Sequence, residues 1–348
     1  MNQAYHPEDD VLSFIKQEGT ASEDFQPLAL KVFRYQFTNN KAYQNYCQSI
    51  GYTPDTITQW QDIPAIPTNA YKFPEVPVVS FPIKQTQHTF LTSGTTSDQK
   101  GIHHFPSLTH YEVSILNMWD TLKVPQTDYA VFLTPSPHDA PHSSLSHMMG
   151  TLATNIADQS IWFHTPPQNQ DVHTLQNLTA KNTPLILLGT AISFLQLFDL
   201  INTPIQLPKG SFALETGGYK GSQRQLTKEE LHALFEQKLG LSSNNIINEY
   251  SMTELSSQFY TKGINQPHQA PHWTRIQVID PNTGKIAPDN TPGYLVIYDL
   301  ANLHSVMAVQ TQDIAIAHNE KSFTLLGRDP SALPRGCSRS ADLATSYA

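Results

Sequence analysis

A chain of 348 residues with 39% hydrophobic content can bury a sizeable core and is long enough for about two domains or one large one. With 30 acidic against 21 basic residues, a formal charge of −9 and no Lys/Arg run, it argues against a nucleic-acid or anionic-membrane surface, so any polyanion bound should be small. Only Cys47 and Cys337 are present, without a C-x-x-C, so neither a disulfide framework nor a structural zinc site is expected.

The amino terminus, MNQAYHPEDD, is polar and acidic where a secretion signal would be basic and then apolar. The longest apolar stretch, Leu185 to Phe198, falls short of the roughly 18 to 20 residues of a membrane span. A cytoplasmic protein without a membrane span is expected. Residues 1–60 read as a helical segment, with apolar residues at helical spacing in VLSFI, LALKVFRYQF and residues 43–50. Tyr43, Cys47 and Ile50 fall on one face there, which makes Cys47 a core thiol behaving as a small hydrophobe. The stretch IPAIPTNAYKFPEVPVVSFP carries Pro64, Pro67, Pro74, Pro77 and Pro82 at intervals too short for a helix and is predicted to run extended. It delivers a short strand, HTFL, into the segment TSGTTSDQKG.

That segment, Thr92 to Gly101, combines five Ser/Thr hydroxyls with Gly94 and Lys100. Small residues let successive backbone N–H groups turn toward one anion, while Thr92, Ser93, Thr95 and Thr96 add donors and the lysine supplies mobile charge. It is not the G-x-x-x-x-G-K-[ST] phosphate loop, and by itself it also reads as a solvated Ser/Thr-rich turn.

Beyond it, Leu108, Tyr111, Ile115, Met118 and Leu122 repeat at helical intervals, with Thr109 and Glu112 spaced as a capping box. Short apolar runs then alternate with helical patterns: YAVFLT, SIWFH, LILLG with TAISFLQLFDLI, and FALE with a further helix. Such alternation signals an α/β sheet. The further helix is bounded by a capping box of Thr227 and Glu230, a staple of Leu226 and Leu231, and a terminating Gly240. A strand, NIINEY, runs into the polar turn Ser251–Glu254. Past about residue 270 the pattern becomes strands and tight turns. In PSPHDAPHSSLSHMMG, Pro137 and Pro141 forbid the helix that would align His138 with His142, so His138, Asp139, His142 and His147 read as a loop rather than a metal cluster. His103 and His104 stay unassigned between a phosphate contact and a strand face.

Taken in order, TSGTTSDQKG, LETGGYKG (214–221), NEYSMTELS (248–256), GYLVIYD, QTQDIA (310–315) and LLGRDPSALPRGCS (325–338) resemble the adenylate-forming superfamily. The IPAIPTNAYK, PSPHDAPHSSLSHMMG and RGCS stretches bring the chain closest to acyl-protein synthetases of the LuxE type, relatives of the phenylacetate–CoA ligases. The resemblance implies an α/β large-domain architecture of layered sheets with a β-rich carboxyl-terminal part and no small mobile domain. The expected layout is a helical segment at 1–60, an adenylation core at 61–270, a β-rich subdomain at 271–326 and a hinge-like tail at 327–348. It further implies ATP and magnesium as cofactors and a fatty acid as substrate, activated to acyl-AMP and passed to a thiol. Reductase and acyltransferase subunits of a bioluminescence-type fatty acid reductase system, and self-association, are the partners it suggests.

By the same resemblance, the β- and γ-phosphates fall to Thr92, Ser93, Gly94, Thr95, Thr96 and Lys100, the α-phosphate to Thr253, and magnesium to Glu254, whose hard oxygen suits that ion. Gly217, Gly218 and Tyr219 would take the base, Asp313 the ribose hydroxyls, and Arg328 ribose or phosphate. His142 would stand near the reacting carboxylate. Cys337, between Arg335 and Arg339, sits among positive charges that favour a thiolate and is the implied acyl acceptor. Each residue alone also has a bland reading: Glu254 as a surface acid, Gly217 and Gly218 as a strand-ending turn, Asp313 as a turn residue, Cys337 as a buried thiol. The chain departs from the wider superfamily at Ser97, Gln99 and Gln312, in Asp329 following Arg328, and in lacking a late catalytic lysine, for which Lys100, Lys220 and Arg335 are candidates. Two further readings fit the same residues: a ligase delivering the acyl group to coenzyme A or a carrier, and a non-catalytic acyl- or nucleotide-binding subunit.

Overall fold

The computed structural model describes residues 6–17, 24–92, 99–217 and 226–329. Its first part contains α1 (Glu8–Lys16), α2 (Phe25–Asn39), α3 (Lys41–Ser49), a short strand β1 (Ile66–Pro67), the hairpin β2 (His88–Leu91) and β3 (Ile102–Phe105), and α4 (Thr109–Thr121). The middle part alternates: β4 (Thr127–Phe132), α5 (Ser144–Ala153), β5 (Ala157–Trp162), α6 (Asn169–Thr179), β6 (Leu185–Thr190), α7 (Ala191–Leu200), β7 (Phe212–Thr216), α8 (Lys228–Leu239) and β8 (Ile246–Tyr250). The last part is β-rich: β9 (Phe259–Lys262), β10 (His268–Gln269), β11 (Thr274–Ile279), β12 (Gly293–Asp299), β13 (Ala308–Asn319) and β14 (Ser322–Arg328). Among the described residues no helix is long and apolar enough to cross a membrane.

Two compact units result, one of residues 1–118, 251–258 and 267–348, the other of 119–250 and 259–266. In the first, β11, β12, β13, β14 and β10 follow one another as antiparallel neighbours, and β1 runs parallel to β13 with Ile66 opposite Val309. Helix α2 buries Phe25, Leu28, Val32, Phe33 and Gln36 along one stripe, as the sequence periodicity requires. Gln36 uses its amide fully: Nε2 donates to the carbonyls of Asn302 and Leu303 at 3.0 Å, and Oε1 accepts from Met307 N at 2.9 Å. Asn40 caps α3 by accepting from Tyr43 N, while its Nδ2 donates to Ser305 O at 3.2 Å. The helices thus grip the 299–307 loop through satisfied polar groups.

The proline-rich segment does not run extended throughout. A 3-10 turn interrupts it at Thr68–Lys72, and further single turns flank it at Trp60–Asp62 and Ile83–Gln85. Proline bars an α-helix interior but suits the residue before a turn, and Pro67 and Pro82 take that place with φ of −69° and −60°. In α4 the helix already includes Thr109, and Ser107 Oγ accepts from Thr109 N at 3.2 Å just ahead of it.

In the second unit the strands lie in the order β9, β8, β7, β6, β4, β5, with β5 to β8 and β4 all parallel and β9 antiparallel to β8. Strands buried on both faces read as continuous apolar runs, as β6 (LILLGT) does. Thr227 and Glu230 form the expected capping box of α8, and Gly240 ends it in the left-handed region at φ +65°. Phe235 packs its ring 4.7 Å from Phe194 and 5.0 Å from Phe198 between α7 and α8. Truncating this fully buried ring, as Phe235→Ala, should cost about 3–5 kcal/mol; urea unfolding followed by tryptophan fluorescence will show the loss as an earlier first transition.

Candidate active site

Segment 251–258 belongs to the first unit and is held at successive backbone groups. His103 Nδ1 lies 2.8 Å from Thr253 O, Asn302 Nδ2 donates to Glu254 O at 2.9 Å, and Ser256 N donates to Asp299 Oδ2 at 2.9 Å. Ser257 Oγ adds a bond to Asp299 Oδ1 at 2.7 Å and accepts from Trp273 Nε1 at 2.8 Å. Asp299 is fully buried; burial pushes its carboxyl up to about 6 against the pull of these donors.

Anchoring the main chain leaves the Glu254 side chain free to serve something else. Glu254 is 8% exposed, and among the described residues no side chain donates to its carboxyl. Burial pushes it up to about 7; its own backbone N–H, Arg328 and Lys72 oppose that rise, and Asp313 adds to it. Asp313 and Arg328 are cross-strand partners on β13 and β14, so two residues of separate sequence motifs meet with Glu254 in one electrostatic group. Asp313 lies within a twelve-residue strand, beside a bulge at Ile314/Ala315, not in a turn. Arg328 Nη2 donates to Gln312 Oε1 at 2.5 Å, and the following Asp329 accepts from Tyr294 OH at 2.5 Å.

The loop arms are set by the β2–β3 hairpin. Thr92 N donates to Gly101 O at 2.9 Å and Gly101 N to Thr92 Oγ1 at 2.8 Å, closing the neck. Lys100 stands exposed beside that neck. Ser93, Gly94, Thr95 and Thr96 lie outside the described residues, as do Gly218, Tyr219, Lys220, Arg335 and Cys337. Cys47 is described and fully buried; burial pushes its thiol up to about 12, the state of an inert core residue.

In the second unit Gly217 ends β7 at φ +70°, a conformation only glycine takes at no cost. Two residues earlier, Glu215 is wholly buried; its Oε1 pairs with Lys228 at the start of α8 and accepts from Asn248 Nδ2 at 2.7 Å. Burial raises the Glu215 carboxyl even though Lys228 and Asn248 lower it. The strand order reverses between β4 and β6, and in α/β sheets the crevice at the carboxyl ends of such strands is where ligands bind. The loop after β4 lies at that end, folded on a turn in which Ser136 Oγ donates to Asp139 Oδ2 at 2.7 Å. His142 is exposed there, just ahead of Ser143, the residue that caps α5.

Similar solved structures place this architecture. An open conformation of 2-hydroxyisobutyryl-CoA ligase in complex with 2-HIB-AMP and CoA matches at TM-score 0.64 and 13% identity, over 92% of this chain and 78% of that one. McyG A-PCP complexed with phenylalanyl-adenylate matches at 0.51 and 15% identity, over 72% and 48%. An ATP-bound RpMatB-BxBclM chimera matches at 0.50 and 16% identity, over 71% and 49%, so the chain spans about half the length of these last two. The fold is that of the adenylate-forming ligases. Residues 158–345 match the family described as acyl-protein synthetase, LuxE, and the chain belongs to that family. No curated protein sequence matches it significantly.

Sequence reasoning missed Lys72, Tyr71, Asp299 and Asn302. Lys72 and Tyr71 sit in the NAYK stretch, yet nothing local distinguishes them; Tyr71 reaches the site because its OH bonds Ser305 Oγ at 3.2 Å. The raised carboxyl of Glu254 has a measurable sign. Between the usual glutamate value of about 4.3 and about 7, the unfolded chain holds fewer protons at this position than the folded one, so stability falls as pH rises through that window. Glu254→Gln removes that slope. The variant should melt at or above the wild-type temperature at about pH 8, with the gap closing below about pH 4; calorimetric scans across this range are the check.

Proposed function

We propose that this protein activates a fatty acid with ATP and passes it to a thiol. A carboxylate oxygen of the acid attacks the α-phosphorus of ATP, forming the acyl–phosphate bond as pyrophosphate leaves. The Cys337 thiolate then attacks the acyl carbonyl, AMP leaves, and a thioester results for delivery to an acyl-protein reductase. The observation that carries this reading is the desolvated carboxyl of Glu254, the residue that the family pattern gives to the metal, under the influence of Asp313 and Arg328, which the pattern gives to ribose and phosphate, and of Lys72, which it does not name.

Magnesium fits this donor set. Among the described residues no three His, Cys, Asp or Glu side chains are placed to hold a metal, so a resident cage is not what Glu254 offers; one buried hard carboxylate beside a nucleotide is how magnesium is bound through substrate phosphates. When bound, the ion would neutralise charge developing on the transferring phosphorus. Thr253 offers a hydroxyl to the α-phosphate, Lys100 and the loop residues to the outer phosphates, Asp313 accepts from the ribose hydroxyls, and Gly217 leaves room for the base together with Gly218 and Tyr219. His142, at the carboxyl end of β4, would face the acid.

Acid-dependent exchange of pyrophosphate into ATP tests the adenylation step. Glu254→Gln should reduce exchange by about 10²–10³ while the fold persists, since the carboxylate would hold the magnesium that compensates charge at the phosphates; wild-type exchange in this variant would remove Glu254 from the nucleotide site. Asp313→Ala should raise KM for ATP more than it lowers kcat, because ribose contacts are alike in ground and transition states.

For the second step, labelled fatty acid with ATP and magnesium should leave protein-bound label that neutral hydroxylamine removes. Cys337→Ser should abolish the label and keep exchange, whereas Cys47→Ser should change neither, since Cys47 is a core thiol. Label on coenzyme A, or label persisting in the Cys337 variant, would point to transfer to coenzyme A or another acceptor instead.

A further inference from the structure

We infer that His103 is a positioning residue that sets the arms of the Thr92–Gly101 loop in register with the Thr253–Glu254 turn, an inference that rests on reading the site as one for ATP. β3 is the outgoing arm of the loop, and His103 lies on it opposite Phe90, two residues past the closed neck at Gly101. A carbonyl can only accept, so the 2.8 Å contact from His103 Nδ1 to Thr253 O fixes the proton on Nδ1. The ring is 1% exposed, with Phe105 at 4.0 Å and Tyr71 at 5.4 Å between centroids. Its Nε2 is buried and without a hydrogen-bond partner among the described residues. Burial pushes the imidazole down to about 3, so the ring stays neutral and the single bond to Thr253 is its polar function.

What the bond joins gives it meaning. The carbonyl of Glu254 and the N–H of Ser256 are held from the 299–302 loop, by Asn302 and Asp299. The carbonyl of Thr253 is held from the hairpin, by His103. The strand β3, which leads away from Gly101, and the turn carrying Thr253 and Glu254 are therefore tied to one another by a single bond. The approach is close: a Cβ at Gly101 would come within 2.9 Å of Thr92 Cγ2 and 3.4 Å of Tyr71 Cβ. Losing a tie of this kind misplaces reacting groups by fractions of an ångström, which costs rate in the chemical step.

A ring that merely fills space predicts something different, and substitutions separate the two. Asparagine carries an N–H donor at the position of Nδ1 but is smaller; leucine and phenylalanine keep apolar bulk and lose the donor; glutamine moves the donor one bond further out. As a positioning residue, His103 should tolerate H103N with most of the exchange rate kept. H103L and H103F should lose about 10- to 100-fold in kcat for exchange with a smaller change in KM for ATP, although their melting temperatures lie at or above that of H103N. H103Q should resemble H103L in rate.

Thermal unfolding of every variant accompanies the kinetics. If H103L or H103F fails to fold, the comparison of H103N with H103Q decides, because both are polar and only the donor position differs. Exchange in H103L equal to wild type, H103Q equal to H103N, or rates that simply follow melting temperature would overturn the inference. Absence of acid-dependent exchange in the wild-type protein would instead overturn the ATP-site reading, and the inference with it.

Discussion

Asp299 is the group on which the site's backbone depends. A buried carboxylate is expensive unless its lone pairs are met, and here they are met from both directions: by Ser256 N and Ser257 Oγ of the 251–258 segment, and by Ala301 N of its own loop. Ser257 in turn binds Trp273 Nε1 and lies 3.0 Å from Ser114 Oγ of α4, while Asn302 spans Glu254 O and Val306 O. Because every member answers another's hydrogen-bonding capacity, the network is stable only as a whole. That makes it a device for fixing a turn that has no helix or strand geometry of its own.

A fixed main chain is what allows the Glu254 side chain to remain desolvated. Preorganised polar groups are effective in catalysis because their reorientation cost is met on folding and not during the reaction. The stability lost by burying the Glu254 carboxyl is tolerable because the surrounding backbone is over-determined, and sites of this kind are where functional strain collects. Glu215 in the second unit follows a related rule with a different outcome: Lys228 and Asn248 compensate its buried charge directly, tying the end of β7 to the start of α8 on either side of the glycine-rich stretch.

The legible parts of the sequence were those governed by local chemistry. Capping at Thr227 and Glu230, the apolar run of β6, the inward face of Cys47 and the β-rich character after residue 270 each follow from neighbours within a few positions. Motif order singles out Glu254, Asp313 and Arg328, and the antiparallel register of β13 and β14 sets the last two opposite one another. Less visible were element boundaries and choices decided by long-range contact. Helix α4 begins at Thr109 itself, one residue further back than a capping role for Thr109 requires. The proline-rich stretch turns where proline precedes a 3-10 segment, since forbidding an α-helix does not forbid every turn. Asn302 looks like any loop asparagine until its side chain is seen between Glu254 and Val306.

Lys72 shows the same limit from the side of charge. Lys100, Lys220 and Arg335, the candidates for a compensating cation, lie in or near glycine-rich or hinge-like stretches. Lys72 lies in none; it closes the 3-10 turn after Pro67, and pairing of Ile66 and Pro67 with Val309 and Gln310 places that turn beside the start of β13, the strand that carries Asp313. The parallel pairing of so short a strand therefore has an electrostatic consequence: it brings a half-buried ammonium group close enough to act on Glu254 from the opposite end of the sequence to Arg328. The charged groups acting on the Glu254 carboxyl are two cations, Arg328 and Lys72, and one anion, Asp313, a local balance reached without any arginine- or lysine-rich patch. An acidic chain can carry such a local balance, because net charge governs long-range attraction while the few groups within a site decide what binds there.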